Sequence, residues 1–162
     1  IDNEMLKTMP VGDIMHKKSL LFLWATSPRL DLAIDTIRAW GLNYRGVAFV
    51  WVKTRQDGKT PIGAQGVRPS TVKPTAEYVL VASKAKSGRP LPLSDESISN
   101  IVLSPKREHS RKPDDVNARI DLMYPSASKI ELFARREWND WDTWGDQIGK
   151  FPSVMNNEPP ED

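Results

Sequence analysis

The run Ser19-Leu20-Leu21-Phe22-Leu23-Trp24-Ala25 decides the fold class, together with the segment after it. It is continuous in apolar side chains and short, as in a strand buried on both faces. Ser27 and Pro28 then supply a helix cap and a proline at the first helical position. Leu30, Ala33, Ile34, Ile37 and Trp40 recur at helical spacing, and Gly41 stops the helix. A second apolar run, Gly46–Val52, completes a strand–helix–strand unit. Outward from this unit the same signals place strands at 77–82, 100–103 and 129–134, and a helix beginning at Pro113-Asp114-Asp115. The two acids there face the positive end of the helix dipole. Apolar strands separated by amphipathic helices predict an α/β fold, with a mostly parallel sheet and helices on both faces. Ligands of such sheets lie at the carboxyl ends of strands. That directs attention to Thr26-Ser27, Lys53, Ser83-Lys84, Ser104-Pro105-Lys106 and Arg135-Arg136.

The chain has 162 residues, of which 39% are hydrophobic, enough for a core of its own. It has no cysteine and two histidines, His16 and His109. That excludes disulfides, thiolate zinc and a cysteine nucleophile, and no metal is expected. No apolar run approaches the roughly 18 residues of a membrane span. Lys+Arg number 23 and Asp+Glu 21, yet the charge is unevenly spread. Basic stretches cover 53–73, 84–89 and 106–112, each beside an expected strand. Acids dominate from Glu137 to the end, where 152–162 reads as a disordered tail. Basic loops on a nearly neutral chain suit a polyanion partner or are plain solvated loops.

Two phosphate-loop imitations fail. Gly58-Lys59-Thr60 has Lys53 where the pattern needs its first glycine, and Gly63-Ala64-Gln65-Gly66 precedes no helix. Glu108-His109-Ser110 has triad residue types, but sequence neighbours do not converge as a triad must.

The segments that carry most information are Arg107-Glu108-His109-Ser110-Arg111-Lys112-Pro113-Asp114-Asp115, then Lys129-Ile130-Glu131-Leu132-Phe133-Ala134-Arg135, and Trp141-Asp142-Thr143-Trp144-Gly145-Asp146-Gln147. With Leu21–Thr26, Ala39–Leu42 and Phe49–Thr54 before them, this series resembles the MT-A70 adenine-N6 methyltransferases, in the branch of bacteria and their phages. The resemblance runs from about Met5 to Gln147. It implies a Rossmann-like methyltransferase domain over 1–151 that binds S-adenosylmethionine and methylates adenine N6 in DNA, in the cytoplasm of a bacterium or phage-infected cell. The alternative is a non-catalytic nucleic-acid-binding relative or partner subunit.

The resemblance places donor-binding groups at Lys112, Glu131, Arg135, Asp146 and Gln147. Lys112, ahead of a helix N-terminus, suits a carboxylate, and Arg135 suits ribose oxygens. The alternative for Lys112 and Glu131 is a salt bridge with each other between strand and helix, and for Arg135 a surface charge at a strand end. Asp146-Gln147 departs from the Asn-Glu of many bacterial relatives. Nucleic-acid candidates are Lys53, Arg68, Lys106, Arg107, His109 and Arg111. Glu77 either shapes a base pocket or holds the 54–74 loop. Gly66–Ser70 departs from the aromatic pattern of relatives, so sequence preference does not transfer. Trp24, Trp40 and Trp51 read as core, whereas Trp138, Trp141 and Trp144 could border the donor. The family's Asp-Pro-Pro-aromatic catalytic turn has no counterpart in this sequence, and Glu158-Pro159-Pro160-Glu161 lacks the aromatic. The turn, and a first strand before it, are expected upstream of residue 1.

Overall fold

The computed structural model describes residues 2–63 and 71–155. They form two compact units, Ile1–Tyr124 and Pro125–Asp162. The first carries helices α1 (Asn3–Thr8), α2 (Leu30–Ala39) and α3 (Asp114–Met123), and strands β1 (Leu20–Thr26), β2 (Asn43–Thr54), β3 (Ala76–Ser83) and β4 (Ile101–Pro105). The second carries β5 (Ile130–Leu132) and β6 (Asp142–Trp144), paired in parallel. The Arg68 and Gly66–Ser70 readings, all but Gly63 of the Gly63–Gly66 reading and most of the tail lie outside the described residues.

The apolar runs form the strands expected of them, but the sheet is not mostly parallel. Its order is β1-β3-β2-β4. β3 is antiparallel to both β1 and β2, and only β2–β4 is a parallel pair. The reason lies in the connections. Between β1 and β2 the chain crosses over through α2, which returns it in the same direction. No helix is present among the described residues between β2 and β3, and a connection without a crossover favours an antiparallel return. β1, β2 and β4 therefore share a direction, and β3 opposes them. Val79, Leu80, Ala82 and Ser83 are at most 1% exposed. A strand so buried on both faces reads alike in either direction.

This reversal moves chemistry. Ser83-Lys84, expected at the ligand end, lies at the opposite end, where Ser83 pairs with Leu20 and Asn43. In exchange, the start of β3 arrives beside the carboxyl ends of β1 and β2, with Glu77 opposite both Thr26 and Trp51.

Helices pack against the sheet, α2 on β1 and β2 and α3 on β4. α2 buries Ala33, Thr36 and Ile37. It ends in a Schellman motif, with Leu42 N–H donating to the Ile37 carbonyl (3.1 Å) and Gly41 N–H to that of Arg38 (2.9 Å). Gly41 has φ +75° with open space around its Cα, so conformation alone selects glycine there. The Ser27 cap is not formed: Ser27–Arg29 is a 3₁₀ turn leading into α2. α3 buries Val116 and Ile120 and is tied to β4 by Ser104 Oγ–Asp115 Oδ1 at 3.0 Å. Arg119 of α3 also donates to the carbonyls of Ser99 (2.9 Å) and Ile101 (2.7 Å), occupying acceptors along the β4 edge. Contrary to the double-sided burial expected of it, β1 is mostly half-buried and only Ala25 is buried. Among the described residues it pairs on one side alone. No described helix is long and apolar enough to cross a membrane.

Gly41→Ala should cost about 1 kcal/mol, the strain of a Cβ in left-handed backbone. Urea unfolding measures it; an unchanged or raised midpoint would show that the helix end does not need this conformation.

Candidate functional site

Side-chain alternation and register put Trp24, Thr26, Glu77, Trp51 and Lys53 on one face of the sheet. Lys112, just before α3, reaches the same face. Glu77 receives both lysines, with Lys112 Nζ 2.5 Å from Oε1 and Lys53 Nζ 2.7 Å from Oε2. Each ammonium also lies over an indole: Lys112 is 5.1 Å from the Trp24 ring centre and Lys53 is 5.3 Å from that of Trp51. The two indoles meet edge to face at 6.0 Å and 78°. Trp51 is 2% exposed, and its Nε1 donates to the Ser104 carbonyl at 2.9 Å. The platform under the charges is thus rigid and apolar, a setting where each cation–π contact adds about 0.5–1 kcal/mol.

Glu77 is nearly buried, at 9% exposure. Burial pushes its carboxyl upward, but the hydrogen bonds and charges of Lys112 and Lys53 outweigh burial and hold it below the usual carboxylate range. One carboxylate between two ammonium groups leaves a net positive centre at the carboxyl ends of the strands. Beside it lies a cavity of about 280 Å³ lined by Leu23, Trp24, Thr26, Arg29, Glu77 and Lys112, among others. Leu23 and Trp24 point to opposite faces of β1, so the cavity wraps that strand's outer edge.

Of the residues singled out in the sequence, Lys53, Glu77 and Lys112 come together, and Lys53 is bound to a carboxylate rather than extended toward solvent. Glu77 lines the cavity, and its side-chain hydrogen bonds go to the two lysines. Lys112 pairs with Glu77. In the basic turn before α3, Arg107 bonds Asp114 (3.1 Å) and the Lys112 carbonyl (3.3 Å), and Arg111 forks onto Glu108 at 3.0 and 3.1 Å. These pairs shape the turn around Ser110, whose φ is +63°. Lys106 and His109 are exposed. Gly58-Lys59-Thr60 is a tight turn. The N–H groups a phosphate loop would offer are spent on Asp57, which accepts from Lys59 N (2.8 Å), Thr60 N (2.9 Å) and Thr60 Oγ1 (2.5 Å). Those bonds, the Thr60 hydroxyl first, lower the Asp57 carboxyl to about 2.

In the second unit, Glu131 on β5 pairs with Arg136 at 3.3 Å, and Arg136 stacks over Trp138. Arg135 lies 4.8 Å from the Phe151 ring centre. Asp146 and Gln147 are exposed just after β6. Gly145 between them and β6 allows close backbone approach: a Cβ there would sit 3.1 Å from Phe133 Cα. Trp138 is core, at 3% exposure, whereas Trp144 is half-exposed against Phe133. Two contributors escape sequence reading. Arg29 on the cavity wall carries no pattern beyond being a lone cation after a strand. α1 does have a signal: Asp2 caps it by accepting from Met5 N at 2.8 Å.

A family model described as MT-A70 matches residues 1–147. The chain is 33% identical over 144 residues to the type II methyltransferase M.MunI of Mycoplasma sp, covering 88% of this chain and 56% of that protein. It is 31% identical over 150 residues to the N(6)-adenosine-methyltransferase MT-A70-like protein of Arabidopsis thaliana, covering 91% and 20%. It is 29% identical over 150 residues to the human N(6)-adenosine-methyltransferase catalytic subunit METTL3, covering 91% and 24%. The chain therefore spans about half the length of the first of these relatives and a quarter or less of the others.

Glu77→Gln would leave two ammonium groups facing a neutral amide. Because both lysines keep some solvent, the expected loss is about 2 kcal/mol, below the full value for breaking a buried pair. The folded carboxyl is held low, so its contribution is present above the ordinary value near about 4.3 and lost as pH falls through the folded value. Urea unfolding at pH 7 and pH 3 should show the wild-type advantage shrinking in acid; an advantage that grows in acid would contradict the pairing.

Proposed function

The chain belongs to the MT-A70 family, and on that premise we propose that it takes part in transferring the methyl group of S-adenosylmethionine to N6 of adenine in DNA. The observation that carries the reading is the Lys112–Glu77–Lys53 cluster: a preformed cation at the carboxyl ends of the strands, beside a cavity with an indole wall. Its chemistry fits the donor's amino-acid carboxylate, and the cavity, at about 280 Å³, is of the order of a small-ligand pocket.

When bound, S-adenosylmethionine supplies an electrophilic methyl group on a sulfonium. Lys112 would hold the donor carboxylate by a charge-assisted hydrogen bond. Glu77 fixes the direction of that ammonium. In the second unit, Arg135 suits ribose oxygens as a donor and Glu131 suits ribose hydroxyls as an acceptor, and the family resemblance adds Asp146 and Gln147 as polar donor-binding groups. Lys106 and His109, exposed on the turn before α3, suit phosphates, whose neutralisation makes affinity fall with salt. Arg107 and Arg111 would act mainly by shaping that turn. The target adenine must leave the stack to react, at a cost of a few kcal/mol. Adenine N6 is a weak nucleophile, so positioning dominates such chemistry. DNA is favoured over RNA by the 33% identity to M.MunI and the larger share of that protein covered, 56% against 20% and 24% for the plant and human relatives, and the cytoplasm of a bacterium or phage-infected cell by the same branch of the resemblance.

Two measurements test this on the full-length protein. Radiolabelled donor with matched DNA and RNA strands should label adenine N6 in DNA. Label confined to RNA would overturn the substrate class, and donor binding without any label would favour a non-catalytic nucleic-acid-binding relative. Lys112→Gln should weaken donor binding about tenfold or more, the scale of one hydrogen bond to a charged group; unchanged affinity would remove Lys112 from the donor site.

A further inference from the structure

We propose that Lys53 is a positioning residue: acting through Glu77, it holds Lys112 where that ammonium can meet the donor carboxylate. The proposal rests on the methyl-donor reading above and assigns Lys53 a role other than the nucleic-acid contact its basic stretch suggests.

The geometry is a divided carboxylate. Oε2 of Glu77 is committed to Lys53 at 2.7 Å and Oε1 to Lys112 at 2.5 Å. Each ammonium has its own indole, and the indoles brace each other edge to face. The arrangement is nearly symmetric, but the surroundings are not. Glu77 and Lys112 line the cavity, and Lys53 is not among its lining residues. The Lys53 side chain is also the less exposed, at 24% against 34% for Lys112. Lys53 thus stands behind the carboxylate and Lys112 in front of it. Its backbone is fixed as well, its N–H donating to the Thr75 carbonyl at 3.0 Å and its carbonyl accepting from Ile62 N at 2.8 Å.

The consequence lies in the number of acceptors. While Lys53 occupies Oε2, Glu77 can give Lys112 only one oxygen, and the cluster keeps a net positive charge. Without Lys53, both oxygens are available to Lys112. The ammonium would then settle onto the carboxylate, its charge more fully neutralised, with less left for an incoming anion. Lys53→Gln should therefore weaken donor binding although Lys53 does not touch the donor.

A double-mutant cycle in the full-length protein tests this, with S-adenosylmethionine titrated into wild type, Lys53→Gln, Glu77→Gln and the double variant. Lys53→Gln should raise the donor Kd about fivefold, and Lys53→Arg should restore it. In the Glu77→Gln background the same substitution should change Kd by less than about twofold, because its route is gone. The salt dependence of DNA binding should keep its slope. NMR titration of the Glu77 carboxyl, which needs no ligand, should show it rising toward the ordinary range in Lys53→Gln and confirms that the variant is folded. An equal effect in both backgrounds would mean a through-space charge effect and overturn positioning. A salt slope reduced by about one with donor Kd unchanged would return Lys53 to the nucleic acid. A wild type that binds DNA but no donor would instead overturn the donor reading itself.

Discussion

One buried carboxylate shared by two lysines organises the functional end of the first unit. Glu77 cannot stay charged at 9% exposure without partners, and Lys53 and Lys112 supply them from β2 and from the turn before α3. The pairing joins three parts of the chain that have no local reason to meet. It also sets the sign of the site, since two cations on one anion leave a positive centre that tolerates one further anion. The apolar support matters equally. Trp24 and Trp51 give each ammonium group an indole face to lie on.

The reversed strand makes this possible. Three strands run one way and end at the site, and their carboxyl ends present Thr26, Lys53 and Lys106. A fourth parallel strand would have added Ser83-Lys84 to that end. Because β3 opposes its neighbours, it brings its first residues there instead, and with them an acid among bases. A cluster that would otherwise be wholly cationic, and repulsive, gains a carboxylate that holds the two ammonium groups together and leaves a net positive charge.

How much of this is legible in the sequence depends on the physical quantity each signal measures. Continuous apolar runs mark strands, so β1 to β4 can be read from the sequence, although β1 is half-buried rather than enclosed on both faces. The same signal is silent on direction, since a strand buried on both faces looks alike parallel or antiparallel, and the parallel expectation fails there. β6 is three residues long, too short for any periodicity. Lys112 and Glu77 are recognisable as candidates from the family-like segments around them. Their bond is not, because it depends on the register of β3 and on a contact 35 positions apart in the chain. The sign of its neighbourhood points Lys53 toward nucleic acid, yet a charge run records sign but not partner. The same holds for Arg107 and Arg111, whose charges are largely answered by Asp114 and Glu108 within their own turn.

Everything proposed for the site turns on Lys112 being the donor-facing cation and Glu77 its fixed support. A structure of the full-length protein with S-adenosylhomocysteine, the demethylated donor, tests this most directly. The ligand's carboxylate is expected within hydrogen-bond distance of Lys112 Nζ, while the bonds of Glu77 to Lys112 and Lys53 persist. A bound ligand whose carboxylate lies elsewhere, with Lys112 closed onto Glu77 alone, would contradict it.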